Sequence, residues 1–247
     1  ERSRTASDKK QSESRLSVDE AILWIRDNVE QGLAIGEIGL DWQIAHLDRD
    51  AQQRLFEGQL EVARQFELPV VLHVRKAHDA MLNTLRRYRL PGGFCHAFNG
   101  SLQQAARYTE LGFRLGFGGM LTFDRSRHLR RLASELALES LVLETDAPDM
   151  TFASHQYQRN SPAYLPEVLD TLADLRSEDA NAIARQTAAN TRSVLGLPLG
   201  DVRHVDFRRS MERTIEAAPN WVEVSWAATD GHKGEITARY EVPEPNA

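Results

Sequence analysis

Five short apolar runs, separated by longer stretches of helical periodicity, set the strongest constraint on how this 247-residue chain can fold. The runs cover 33–38, 69–74, 93–98, 113–118 and 141–144. Between them, apolar residues recur every three or four positions. Residues 49–66 carry Leu55, Phe56, Leu60 and Ala63, two more such stretches cover 77–88 and 101–111, and a fourth holds Leu129, Leu132, Ala133 and Leu136. Two helices are expected after the last run, one with Leu165, Val168, Leu169 and Leu172 and one with Ile183, Thr187, Asn190 and Val194. Apolar runs alternating with helices predict βα units and a parallel sheet. Runs without polar interruptions predict strands buried on both faces. A lead-in helix is expected from Ser17, where Ser17 and Glu20 have capping-box spacing and Val18, Ala21, Ile22, Ile25 and Val29 follow at helical intervals, with Gly32 closing it.

The flanks differ in texture. Residues 1–16 are polar and charged without apolar periodicity, which predicts a disordered lead-in. The βα pattern occupies 17–198. From 199 to 247 the rhythm breaks: Phe207, Met211 and Ile215 suggest a helix over 201–218. Val222, Val224 and Trp226, then Ile236, Ala238, Tyr240 and Val242, alternate with polar residues around Asp230-Gly231. Two period-two runs around a turn signal predict an antiparallel hairpin, hence a C-terminal αββ appendage.

Several classes are excluded or disfavoured. No apolar run approaches the ~18 residues of a membrane span. The charged first residues do not form a signal peptide. Cys95 is the single cysteine, so no intrachain disulfide is expected and a reducing, cytoplasmic setting fits. With 30 Lys plus Arg against 36 Asp plus Glu, the net charge of −6 argues against wholesale coating of nucleic acid, while a small local site stays compatible with it.

In a parallel α/β protein the chemistry sits where strands end at the carboxyl edge of the sheet. Glu37, His73, His96 and Asp146 occupy equivalent places at the ends of four of the five runs. Carboxylates with imidazoles form a ligand set for Zn2+, Mn2+ or a similar divalent ion, and a bridging glutamate can hold two metals about 3.5–4 Å apart. A lone strand-end histidine is more often a hydrogen-bonded structural group, and a lone carboxylate often caps a helix. Four ionisable groups converging is different, because burying them without metal or partners costs several kcal/mol. Cys95 adjoins His96, but alternation along a strand turns it to the opposite face, as a small buried residue. Arg75, Lys76 and Arg159 are placed to meet phosphate oxygens. His46, His78, His128, His155, His204 and His232 fall in helical or loop stretches and are expected mostly in solvent, with His155 near the mouth of the site. Arg125, Arg127, Arg130 and Arg131 are expected to decorate a solvated helix face. The glycines at 116, 118 and 119 suggest close backbone approach or turning.

The segment 34–42, Ala-Ile-Gly-Glu-Ile-Gly-Leu-Asp-Trp, resembles the most distinctive motif of the TatD family of metal-dependent deoxyribonucleases. The segments 69–73, 95–101 and 143–148 follow in that family's order and spacing. Residues 158–166 look like its post-barrel loop, and 190–197 look like its terminal helix. The resemblance covers about 18–197. It implies a TIM-type (β/α) barrel of the amidohydrolase superfamily and hydrolysis of phosphodiesters with one or two divalent ions, Mg2+, Mn2+ or Zn2+. Single-stranded nucleic-acid ends would be the substrate, with no membrane involved. It also implies that Glu37 bridges two metals, that His73 and His96 complete one site, and that Asp146 binds the other and acts as general base. Family members begin with a strand bearing His-x-His, and this chain contains none. Its first recognisable strand resembles the family's fourth, so five of eight βα units are expected, a partial barrel with the second metal site and full activity in question. Two other readings accompany the nuclease: a catalytically impaired barrel remnant acting in binding or assembly, and a metal hydrolase of small esters or amides. The spacing specifies no oligomeric state.

Overall fold

The computed structural model describes residues 17–197, apart from 30, 31 and 45, together with the backbone of two strands at 221–224 and 238–241. The lead-in 1–16, the helix expected over 201–218, the boundary at 198–199, and His204 and His232 lie outside the described residues. Helix α1 (Val18–Asn28) precedes β1 (Ile35–Asp41), α2 (Arg49–Gln65), β2 (Val70–Arg75), α3 (His78–Leu85), β3 (Gly93–Cys95), α4 (Leu102–Glu110), β4 (Phe113–Phe117), α5 (Arg127–Glu135) and β5 (Leu141–Leu143). Helices α6 (Leu165–Asp174) and α7 (Ala180–Val194) follow. The five strands form one sheet in the order β1-β2-β3-β4-β5, and every pairing is parallel. This is the αβ texture read from the sequence, arranged as part of a TIM-type barrel. The strands β6 (Trp221–Val224) and β7 (Ala238–Glu241) pair antiparallel, from Trp221 opposite Glu241 to Val224 opposite Ala238.

Local chemistry sets the helix starts. Ser17 Oγ accepts the Glu20 N–H while the Glu20 carboxylate accepts the Ser17 N–H at 2.8 Å. Ser101 and Gln104 repeat this reciprocal cap at α4. Asp48 and Asp179 cap α2 and α7 through their carboxylates. These caps satisfy amide donors that a helix cannot satisfy internally.

Strand alternation sorts the two faces of the sheet. Val70, Leu72 and Val74 on β2, Cys95 on β3 and Leu115 on β4 are buried beneath the helices. There they join Phe56, Leu60, Met81, Leu82, Ala105, Tyr108 and Phe113 in one core. Cys95 therefore points away from His96, as alternation predicts, and burial pushes its thiol well above the ordinary cysteine range. The opposite face carries Val71, His73 and Phe94, each only half-buried. Strands buried on both faces were expected. That holds where Leu115, Gly116 and Phe117 on β4 and Leu141 and Val142 on β5 are buried in succession, and is corrected for β2 and β3. Among the described residues the helices form a layer over one face of the five strands, and the other face lines the site.

Some boundaries also move. The third run, read as a strand over 93–98, is regular strand only as far as Cys95 because the backbone turns at Ala97, whose φ is 43°, although His96 and Phe98 still donate to the Leu72 and Gly116 carbonyls. The first strand extends to Asp41 and contains a register shift between Ile35 and Ile38.

One buried amide fastens α7 to the sheet. Asn190 Nδ2 donates to the carbonyls of Leu138 at 2.9 Å and Leu141 at 2.7 Å, and its Oδ1 accepts from Gln186 Nε2 at 2.8 Å. Replacing Asn190 with alanine strands those two carbonyls in the interior, so a loss of about 1–3 kcal/mol in unfolding free energy is expected. A urea titration would show it, and an unchanged midpoint would contradict it.

Among the described residues no helix is long and apolar enough to cross a membrane.

Candidate metal centre

The register shift in β1 places Glu37. Gly36 packs so tightly on β2 that an added Cβ would lie 2.5 Å from Val71 Cβ. The extra residue leaves both Gly36 and Glu37 on the open side of the strand, between buried Ile35 and Ile38. A bulge that re-aims one side chain is a recurrent device beside active sites. His73 arrives from β2 by plain alternation, and His96 follows the last residue of β3.

The three side chains meet. Glu37 Oε2 lies 3.6 Å from His73 Nδ1 and 3.9 Å from His96 Nε2. The two imidazoles stack with centroids 5.9 Å apart and planes inclined by 23°. One donor atom from each of Glu37, His73 and His96 can be chosen so that all lie within 4.8 Å of one another.

A second set of carboxylates surrounds the triad. Glu144, the residue after β5, has Oε1 at 3.3 Å from His96 Nδ1, and the same oxygen accepts the Ala97 N–H at 2.6 Å. Asp41, the last residue of β1, has Oδ2 at 3.6 Å from His73 Nε2 and 3.3 Å from the Arg75 guanidinium. Asp146 Oδ1 lies 3.9 Å from His96 Nδ1, the ring nitrogen that also faces Glu144, so Asp146 borders the cluster there. It does not belong to the close triad.

The electrostatics follow from this crowding. Burial alone would lower the pKa of His96, but Glu144 overrides it, with help from Glu37 and Asp146, and the imidazole is pushed up to about 9. Asp146 is raised above the usual carboxylate range, first by burial and then by the charges of Glu37 and Glu144, against the opposing effect of His96. The negative charge therefore exceeds what the protein's own cations neutralise locally. Two imidazoles, a carboxylate within reach of both and this surplus negative charge fit a divalent cation.

A cleft of about 520 Å³ opens beside the cluster, with Glu37, His96, Glu144, Asp146, Arg159 and Asn160 in its wall. Arg159 is thus in place to meet an anion there. Arg75 is not in that wall and engages Asp41 instead. The loop carrying Arg159 is held by Asn160, whose Nδ2 faces the carbonyls of Thr145, Asp149 and Met150 at 2.5–2.8 Å. Backbone strain concentrates at the same edge. Lys76, Ala97 and Asp146, just beyond β2, β3 and β5, sit at φ of 53°, 43° and 58°. Non-glycine residues held in that region signal a geometry imposed by the surroundings.

Not every histidine is as expected. His78 is half-buried, its Nδ1 3.1 Å from the Tyr108 hydroxyl, and burial lowers its pKa. His128 Nε2 bonds the Gly100 carbonyl at 2.9 Å. His128 is nevertheless exposed, as expected, whereas His78 is drawn in by its contact with Tyr108. His155 stacks on Tyr164 at 3.7 Å and faces Glu167, outside the cleft wall. Glu144 and Asp41 carried no assigned role in the sequence. The available signal was the two-residue offset of Glu144 from Asp146, which suggests a shared side.

A parallel barrel-type sheet with an imidazole–carboxylate cluster of metal-ligand composition at its carboxyl edge defines an α/β protein of the TIM-barrel class. Residues 8–196 match the family described as TatD related DNase, and the chain belongs to that family. It is similar to the uncharacterised metal-dependent hydrolase YjjV of Escherichia coli (strain K12), 42% identical over 67% of this chain and 64% of that protein. The crystal structure of that TatD homologue superimposes with a TM-score of 0.68 at 38% identity, covering 74% of this chain and 71% of the other. The 3'-5' ssDNA/RNA exonuclease TatD of Citrobacter rodentium is 35% identical over 76% of this chain and 74% of its own length. The chain thus spans somewhat under two thirds of YjjV and between two thirds and three quarters of the exonuclease.

Proposed function

We propose that the chain carries the catalytic site of a divalent-metal-dependent phosphodiesterase that removes nucleotides from single-stranded DNA or RNA ends. The observation that carries this reading is the meeting of Glu37, His73 and His96 beside a cleft that also holds Asp146 and Arg159. Glu37, His73 and His96 would hold the cation, with Asp146 completing its surroundings. A bound cation there supplies Lewis-acid polarisation of the scissile phosphodiester and eases deprotonation of water.

The chain's own residues have separate tasks. The Arg159 guanidinium pairs with a non-bridging phosphate oxygen and orients the strand end. Asp146, its basicity raised by burial and neighbouring carboxylates, takes the proton from the attacking water. The new phosphorus–oxygen bond forms from that water as the bond to the departing sugar oxygen breaks, and that oxygen takes up a proton from solvent water to leave as a hydroxyl. Arg75 supports the site through Asp41, and contributes to substrate binding at most at the outer rim. The relatives named as ssDNA/RNA exonucleases support nucleic acid over a small ester as the substrate.

The test pairs metal analysis with catalysis. Purified protein is assayed with Mg2+, Mn2+ or Zn2+ on a single-stranded oligonucleotide and on a small carboxylic ester. Nucleotide release that stops with EDTA is expected. Asp146→Asn should lower kcat by about 10²–10⁴-fold with little change in KM. Release indifferent to EDTA, or turnover of the ester alone, would overturn the proposal.

A further inference from the structure

We infer that Glu144 and Asp41 are positioning residues that determine which ring nitrogen each histidine presents to the cation, so that His96 ligates through Nε2 and His73 through Nδ1. The inference deepens the metal-site reading above and rests on it.

The argument begins with proton placement. An ionised carboxylate only accepts hydrogen bonds. Glu144 Oε1 faces His96 Nδ1 at 3.3 Å, so in the neutral imidazole that nitrogen carries the hydrogen and Nε2 keeps its lone pair. Nε2 is the nitrogen directed at Glu37. At His73 both ring nitrogens face a carboxylate at the same 3.6 Å, Nδ1 toward Glu37 Oε2 and Nε2 toward Asp41 Oδ2. With Glu37 sharing the cation, Nδ1 would be the ligating nitrogen and the hydrogen would stay on Nε2 beside Asp41. Glu144 thus selects one tautomer directly, Asp41 supports the other, and both turn a lone pair toward one point. Donation of the remote N–H to a carboxylate fixes ring orientation and raises ligand basicity.

Each carboxylate is itself fixed. Glu144 lies across Gly116 of β4, where a Cβ would stand 2.4 Å from its Oε2, and the Ala97 N–H secures its other oxygen. Asp41 accepts the Gln43 N–H at 2.9 Å and the Arg75 guanidinium. Its backbone is clamped to α2 by both ends of the Gln52 amide, at 2.8 and 3.1 Å. The two pairs differ in burial. The His96 side chain is 9% exposed and that of His73 is 34% exposed, so the Glu144 pair works in the less screened environment and should matter more.

The experiment uses the protein loaded with Zn2+ alone, read by histidine-selective ¹⁵N NMR and by Zn2+ titration. The wild type should show a His96 Nδ1–H and a His73 Nε2–H, both exchanging slowly. Glu144→Ala should abolish the first signal, keep the second, and weaken Zn2+ binding about 10–100-fold. Asp41→Asn should disturb only the second signal, with a smaller loss of about 3–10-fold. Glu144→Gln retains an oxygen acceptor for the Ala97 N–H. It should keep the His96 Nδ1–H and bind Zn2+ with intermediate strength, which provides a readout if the alanine variant fails to fold. A purely structural role would lower the urea midpoint without this reciprocal pattern of ring protons. Variants that bind Zn2+ within twofold of the wild type, or a His96 whose Nε2 carries the proton in the loaded wild type, would overturn the inference alone. A wild-type chain that binds no Zn2+ would overturn both it and the metal-site reading.

Discussion

Glu37→Ala should abolish cation-dependent phosphodiester cleavage, at a cost of about a thousandfold or more in kcat/KM, while leaving the fold intact. Glu37 is the group that lies within 4 Å of both histidines. Its removal leaves two imidazoles with no shared anionic partner. A cation's stabilisation of transition-state charge is worth several kcal/mol, and each 1.36 kcal/mol is tenfold in rate. The fold should survive because the Glu37 side chain is 45% exposed and sits opposite the core residues Ile35, Ile38 and Leu40. Removing one of several crowded carboxylates also relieves repulsion. Wild-type kinetics in the Glu37→Ala protein, or a collapse of its urea midpoint, would show that Glu37 serves another purpose.

The second large effect is a divergence of stability with pH. Without a cation, His96 titrates at about 9, against about 6.5 for an unfolded histidine. A pKa raised on folding contributes stability that is fully present below the unfolded value and is lost as pH rises through the folded one. In EDTA the unfolding free energy should therefore decline from about pH 6.5 to 9, by on the order of 1–3 kcal/mol for this one group. With saturating Zn2+, His96 is already deprotonated in the folded protein and an unfolded histidine is neutral over the same range. The decline should then vanish, and the gap between the two curves should widen with pH. Cation binding should release a proton below pH 9 and tighten as pH rises. Urea midpoints measured in EDTA and in Zn2+ at several pH values would decide the matter. A flat or rising EDTA curve would refute it.

How much of this was readable without coordinates depends on whether the cause is local. The positions of His73 and His96 follow from apolar runs and period-two alternation, and with Glu37, which lies third in β1 rather than at its end, they do converge. The burial of Cys95 follows from the same alternation. The role of Asp41 was not readable, and that of Glu144 only as far as its offset from Asp146 suggests a shared side, because their cause is distant in sequence. Room for the Glu144 carboxylate is made by Gly116 on another strand, and Asp41 is held by Gln52 and Arg75. The bulge that turns Glu37 outward depends on the fit of Gly36 against Val71, which no pattern within β1 announces. His78 illustrates the same point from a helix. Its position reads as solvated, while Tyr108 supplies the partner that draws it in.

The left-handed backbone at Ala97 bears on how this family can be improved for handling. A screen that rewards heat resistance would favour glycine at 97, since glycine adopts a φ of 43° without the penalty alanine incurs. The same exchange would slacken the amide that steadies Glu144 and, through it, His96. Selection for robustness alone would thus erode the site from a residue that bears no functional group, and the alanine marks where durability and precision pull the chain in opposite directions.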